Sequence, residues 1–255
     1  MNIRLDKFLA DMSVGTRTEV KKIIKAGRIQ VNNKVVRDSS IKINTENDQV
    51  LFDNTPVLYI EYEYYMLNKP AGIITAVSDL KESTVLNLIS SVRKDLFPVG
   101  RLDRDTVGLL LITNNGELAH RLLSPKKHVD KKYYVELDAS LTQEMCQKLR
   151  EGVSIEKNVI TAPAKLEILD APDCKRVVLT IQEGRFHQVK RMFLAVERKV
   201  VFLKRMEFGP LKLDENLKYG EYRRLNEKEL KLLEEYIKDT DMEELCTREL
   251  CTREL

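Results

Sequence analysis

Three short segments put ionisable and polar side chains next to tight turns. The first is Leu67-Asn68-Lys69-Pro70-Ala71-Gly72, where Pro and Gly bend the end of an apolar run and can present Asn68 and Lys69 at a cleft. A plain strand-ending turn has the same composition. The second is Gly100-Arg101-Leu102-Asp103-Arg104-Asp105-Thr106-Val107-Gly108, which runs straight into Leu109-Leu110-Leu111-Ile112. Guanidiniums at Arg101 and Arg104 would keep the Asp103 carboxylate ionised, and an ionised Asp serves as nucleophile or base. A structural Asp–Arg pair is the plainer alternative. The third is Glu183-Gly184-Arg185-Phe186-His187-Gln188-Val189-Lys190-Arg191-Met192, a helix start carrying several cations, which suits an anion. A lone His at such a place makes a structural or RNA contact more often than it does acid–base work. Between the second and third segments lies Lys131-Lys132-Tyr133-Tyr134-Val135. Side chains alternate along a strand, so one tyrosine faces the core and the other a surface or cleft.

Other chemistries find little support. Neither a dinucleotide fingerprint nor a phosphate loop occurs, and four cysteines and three histidines lie scattered without C-x-x-C or H-x-x-x-H spacing. No metal site and no cofactor are expected. The longest apolar stretch, around Leu109 to Ile112, is far short of the roughly 18 residues of a membrane span. The first residues, Met1-Asn2-Ile3-Arg4-Leu5-Asp6-Lys7, mix acid and base where a signal peptide would be apolar, so a cytoplasmic location is expected.

These segments need elements to hold them. The chain has 255 residues, 43% hydrophobic and 33% charged, which suits one large or two modest folded domains and excludes a disordered chain. Strands are predicted near Leu58–Leu67, Leu109–Thr113, Tyr133–Leu137, Val177–Gln182 and Val200–Lys204. Helices are predicted near Thr84–Val92, Gly116–Leu123, Thr142–Glu151, His187–Val196 and Asn226–Lys238. Strands and helices do not alternate strictly, so the fold class is α+β with a mixed, mainly antiparallel sheet.

The N-terminal stretch reads as a separate unit. Leu5, Phe8 and Leu9 have helical spacing, and Thr16 with Glu19 forms a capping box for a second helix that Gly27 stops. Arg28–Val31 and Lys34–Val36 alternate like strands around an Asn32-Asn33 turn. The whole-chain net charge of +3 conceals an uneven distribution. Residues 1–43 carry ten basic and four acidic residues, residues 1–220 carry +7, and 221–255 carry −4. Arg17, Lys21, Lys25 and Arg28 fall along one edge of this unit, either as an ordinary solvated face or as a patch that tracks phosphates. The tail repeats Cys-Thr-Arg-Glu-Leu at 246–250 and 251–255, a duplication too short for a repeat fold.

Arg4-Leu5-Asp6-Lys7-Phe8-Leu9, the Thr16 to Gly27 helix and Gly27-Arg28-Ile29-Gln30-Val31-Asn32 together resemble the S4 RNA-binding module. Further on, G-R-L-D-x-x-T-x-G-L-L-L-x-T-N, with L-N-K-P-A-G before it and E-G-R-F-H-Q-V-K-R-M after it, resembles the pseudouridine synthases. The branch is the one typified by the small-ribosomal-subunit enzyme with an S4 module in front, and the likeness spans roughly residues 2–235. It divides the chain into an S4-like domain (1–48), a linker and lead-in strand (49–60), a catalytic domain (61–240) and an acidic tail (241–255).

The resemblance implies that Asp103 is the catalytic aspartate and that Tyr133, also a catalytic residue, either stacks on the target base alone or serves as a base as well. Arg185 matches best the basic residue that pairs with the aspartate, with Lys190 and Arg191 close by in sequence. RNA contacts are implied for Arg4, Arg17, Lys21, Lys25, Arg28, Lys69, Arg101, Arg104, His187, Gln188, Lys190 and Arg191, and Thr106 would help shape the aspartate loop. The implied activity isomerises a uridine of 16S ribosomal RNA. A 23S target is the alternative within the family, and a non-catalytic assembly protein the alternative outside it. Leu122 to Lys131 looks more like the small-subunit type. The expected partner is ribosomal RNA or a small-subunit assembly intermediate, bound by a monomer with no membrane involved.

Overall fold

The computed structural model describes residues 1–124 and 127–238. The acidic tail with its duplicated pentapeptide therefore lies outside the described residues, as do Pro125 and Lys126 of the 122–131 stretch. The described residues form two compact units, 1–63 with 90–96, and 64–89 with the described residues of 97–238.

In the first unit, helices Leu5–Asp11 and Arg17–Lys25 pack around Leu5, Phe8, Leu9, Val20, Ile24 and Ile29. The capping box is present: the Glu19 N–H donates to the Thr16 hydroxyl at 3.3 Å, and the Thr16 N–H donates to the Glu19 carboxylate at 2.8 Å. Strand Asn2–Arg4 pairs with Lys42–Asn44, and a separate four-stranded sheet runs in the order Lys34–Val36, Ile29–Val31, Val50–Phe52, Thr55–Pro56. This corrects the linker expected at 49–60. Val50–Phe52 pairs with Ile29–Val31, Val50 is buried, and Val57, Tyr59 and Ile60 pack on the same core. Phe8 and Tyr59 stack at 5.2 Å, so the stretch before Tyr64 completes this core instead of starting the next strand.

A second correction concerns the helix predicted over Thr84–Val92. Only one 3₁₀ turn forms, Val85–Leu88, with the Thr84 N–H bonded to the Asn87 side chain at 2.7 Å. Asn87, Ser90 and Ser91 compete for backbone hydrogen bonds and favour caps over helix interiors. The chain then gives residues 90–96 to the first unit, where the buried Arg93 pairs with Asp11 and Asp95.

The second unit is built on a nine-stranded sheet. Its main order is Lys165–Ile168, Arg176–Ile181, Lys131–Leu137, Val200–Phe208, Val107–Thr113, Tyr64–Lys69 and Tyr222–Arg224. Leu211–Lys212 joins Val200–Phe208, and Phe97–Pro98 joins Val107–Thr113. Every pairing is antiparallel except that of Val200–Phe208 with Val107–Thr113. All seven residues of Val107–Thr113 are buried, which accounts for its unbroken apolar sequence. Helix Gly116–Leu123 and a helix over 227–238 cover one side through Leu118, Leu122, Leu233 and Ile237. No helix among the described residues is long and apolar enough to cross a membrane.

Gly108 sits at the parallel crossing with φ +103°. A Cβ there would come within 2.3 Å of the Arg205 carbonyl oxygen and 2.9 Å of its nitrogen. The close approach of the two strands therefore requires glycine. Arg205, buried beside it, donates its Nε–H to the Leu109 carbonyl at 2.7 Å and lies over the Phe208 ring.

Candidate active site

The site is assembled where a loop, a strand and a helix start converge. The loop 100–106 leaves Gly100 with φ +76° and turns at Asp103, whose carbonyl accepts from the Thr106 N–H at 3.1 Å. It delivers the chain into Val107–Thr113. Across from it, Tyr133 lies in Lys131–Leu137, and the turn 183–187 leads into helix Gln188–Leu194. Asp103, Thr106, Tyr133, Arg185, His187 and Gln188 all line one cleft. All three chemistry-bearing segments and the tyrosine strand thus reach the cleft or the loop that forms it.

The adjacent tyrosines divide as alternation requires. Tyr133 is 8% exposed and on the cleft side. Tyr134 turns to the opposite face, where its hydroxyl donates to Glu136 at 2.7 Å and its ring meets Phe202 edge-on.

The side chain of Asp103 is 24% exposed, and the ammonium of Lys190 and the imidazole of His187 approach its carboxylate. Lys190 Nζ lies 3.3 Å from Oδ2, and His187 Nε2 lies 3.5 Å from Oδ1. Lys190 also bonds Asp105, which holds that carboxyl below the usual carboxylate range. Arg185, the best sequence match for the aspartate's partner, is drawn elsewhere: its guanidinium meets Glu183 at 3.2 Å while its side chain lines the same cleft. Arg191 is occupied too, donating to the Ile155 carbonyl at 2.7 Å and to Glu156 at 3.0 Å.

Two residues expected to contact RNA are buried, Gln188 among the residues lining the cleft and Lys69 not among them. Lys69 has no exposed surface. Its ammonium donates to the carbonyls of Pro70, Asp103, Arg104 and Thr106 at 3.0, 3.1, 3.3 and 3.0 Å. It holds the aspartate loop from below, and burial pushes its pKa down to about 8. Gln188 is 4% exposed and closes the 183–188 turn, accepting from the Arg185 N–H at 2.9 Å and donating to Glu183 at 2.9 Å. Asn68 is buried as well and donates to the Leu217 carbonyl at 2.7 Å. A Lys or Gln in a polar, turn-rich segment carries no sequence mark of burial, because burial comes from chain-distant neighbours.

The remaining basic residues stand in the open. Arg101 is exposed at the cleft, and Arg104 is exposed with a 3.1 Å contact to Glu82. In the first unit, Arg17, Lys21 and Lys25 are exposed along one i, i+4 row of their helix. Arg28 is paired with Asp53, and Arg4 donates twice to the buried Asp6, at 3.0 and 2.8 Å, so both carry a built-in counter-ion.

Comparison with known proteins gives the family of the chain. Residues 63–195 match the RNA pseudouridylate synthase family model, and residues 3–50 match the S4 domain. A Bacillus subtilis (strain 168) protein described as uncharacterized RNA pseudouridine synthase YtzG is 46% identical, with 91% of this chain and 99% of that one covered. Ribosomal small subunit pseudouridine synthase A of Escherichia coli strain K12 is 39% identical over 89% and 98% of the two chains. Ribosomal large subunit pseudouridine synthase B of Bacillus subtilis is 38% identical over 90% and 95%. A crystal structure of a pseudouridylate synthase superposes with a TM-score of 0.64 at 40% identity, covering 91% of this chain and 99% of that one. With an S4 domain ahead of a synthase fold, and relatives aligned along nearly their whole length, the chain belongs to the RNA pseudouridylate synthase family.

Proposed function

We propose that this pseudouridine synthase isomerises a uridine of the small-subunit 16S ribosomal RNA, using Asp103 on a nucleotide turned out of its stack. The observation that carries the reading is the Asp103 carboxylate, partly exposed in a cleft with Tyr133 and faced by Lys190 at 3.3 Å and His187 at 3.5 Å.

The reaction breaks the bond from C1′ to N1, rotates the uracil and joins C1′ to C5. The C5 proton leaves and N1 gains one, so the product is an isomer and no redox equivalent is consumed. C1′ is out of reach inside a stacked helix, so the nucleotide turns outward at a cost of a few kcal/mol. The Tyr133 ring offers a stacking surface worth about 1–3 kcal/mol per base, which offsets much of that cost. Asp103 either attacks C1′ or removes a sugar proton, and both roles need the ionised carboxylate. Lys190 and His187 orient it, and Lys69 fixes the loop beneath it. The exposed basic row of the S4 domain supplies backbone attraction without reading sequence.

The test is pseudouridine mapping on 16S and 23S transcripts treated with purified wild-type protein and Asp103→Asn. We expect one new pseudouridine in 16S RNA with the wild type, and none with the variant despite retained RNA binding. Modification of 23S RNA alone would move the target to the large subunit. A fully active Asp103→Asn would remove the aspartate from the mechanism, and an inactive wild type on both RNAs would point to a binding role.

A further inference from the structure

We infer that Phe186 and His187 form a stacking platform that takes the nucleobase next to the extruded uridine, at the rim of the Asp103 cleft. The inference rests on the cleft being the uridine site. An isolated exposed apolar side chain is ordinary on a protein surface. Phe186 is set apart by three coinciding features.

The first is ring geometry. Phe186 lies flat on the His187 imidazole, with centroids 3.8 Å apart and planes at 18°. Phe186 is 73% exposed, so one ring face is taken by the histidine and the other is open.

The second is the backbone that produces this geometry. His187 is a non-glycine residue in the left-handed region, φ 50° and ψ 31°, a conformation that costs on the order of 1 kcal/mol and needs support from its surroundings. That support is present. Arg191 donates to the Phe186 carbonyl at 3.3 Å and to the Ile155 carbonyl at 2.7 Å, and Gln188 clips the turn through the Arg185 N–H and Glu183.

The third is location. His187 Nε2 lies 3.5 Å from Asp103 Oδ1, so the pair is tied to the edge of the cleft. A uridine leaving its stack strips its neighbour of a stacking partner. A flat, open aromatic face beside the cleft replaces that partner for any of the four bases, since each has a π-face.

The chain contains no tryptophan, so Phe186→Trp places a single tryptophan on the platform, excited selectively over the nine tyrosines. This variant is titrated with a 16S transcript and, separately, with heparin, a polyanion without bases. Wild-type turnover on the same transcript is followed in parallel. We expect saturable quenching by RNA and none by heparin. Phe186→Leu, which keeps an apolar side chain but loses the ring, is expected to bind the transcript about tenfold more weakly, with recovery in Phe186→Tyr. These results support the platform whether or not the wild type turns over, and missing turnover then counts only against the synthase reading. Unchanged emission at saturating RNA, or wild-type affinity in Phe186→Leu, overturns the platform, while turnover keeps the synthase reading intact. Absence of any RNA binding overturns both.

Discussion

The buried ammonium of Lys69 reaches the main-chain carbonyl of Asp103 at 3.1 Å, so strand Tyr64–Lys69 grips the backbone of the loop that carries the carboxylate. The same Nζ serves three other carbonyls, and the site's geometry therefore depends on a residue that never meets the solvent. In Lys69→Met the stem still fills its space, but the four carbonyls lose their common donor. A displacement of about 1 Å at a reacting group is worth about a hundredfold in rate. We expect single-turnover pseudouridine formation to fall by about that factor, with RNA affinity nearly unchanged in a filter-binding assay.

Gly108 is a stability prediction. Alanine there combines an unfavourable φ with a Cβ 2.3 Å from the Arg205 carbonyl oxygen, and neither strand can retreat without breaking the parallel crossing. Gly108→Ala should lower unfolding free energy by about 3 kcal/mol, read from the urea midpoint. Gly116→Ala is the control: it occupies a helix start with open space around the new methyl and should be neutral or stabilising.

Stability should also depend on pH on the alkaline side. Burial pushes both Lys69 and Lys131 down to about 8, against an ordinary value of 10.5. Between those limits the unfolded chain keeps a proton on each lysine that the folded chain has released. Unfolding therefore takes up protons, and this contribution raises stability as pH increases through the window. It is smallest below pH 8. Lys131→Met should remove its share, so the difference in urea midpoint between wild type and variant should move in the wild type's favour from pH 7.5 to pH 9.5.

The basic row of the S4 domain predicts a salt effect. Arg17, Lys21 and Lys25 are exposed and, among the described residues, make no ion pair of the kind that Arg4 forms with Asp6 and Arg28 with Asp53. Replacing all three with Gln should reduce the slope of log K against log salt by about 2 to 3, and leave turnover at saturating RNA unchanged. An unaltered slope in a fluorescence titration would mean that this row does not meet phosphate.

Much of this protein is legible in one dimension, because several determinants are short and contiguous. The capping box at Thr16 and Glu19 needs only four residues, and the buried strand Val107–Thr113 announces itself as an apolar run. The motifs around Asp103, Tyr133 and Arg185 carry the family likeness because each is a few residues long. Tertiary structure decided what depends on distant partners. Val50–Phe52 is a strand of the first unit, and not a linker, because Ile29–Val31 lies beside it. Lys69 and Gln188 turn inward because carbonyls and a carboxylate wait there. The choice among Arg185, Lys190 and Arg191 as the basic partner of Asp103 came down to the turn at 183–187. Glu183 takes Arg185, Glu156 and the Ile155 carbonyl take Arg191, and the left-handed His187 leaves itself and Lys190 facing the carboxylate. Composition and spacing name the charges available to a site. Which of them reach it is set by the path of the backbone and by competing partners brought from elsewhere in the chain.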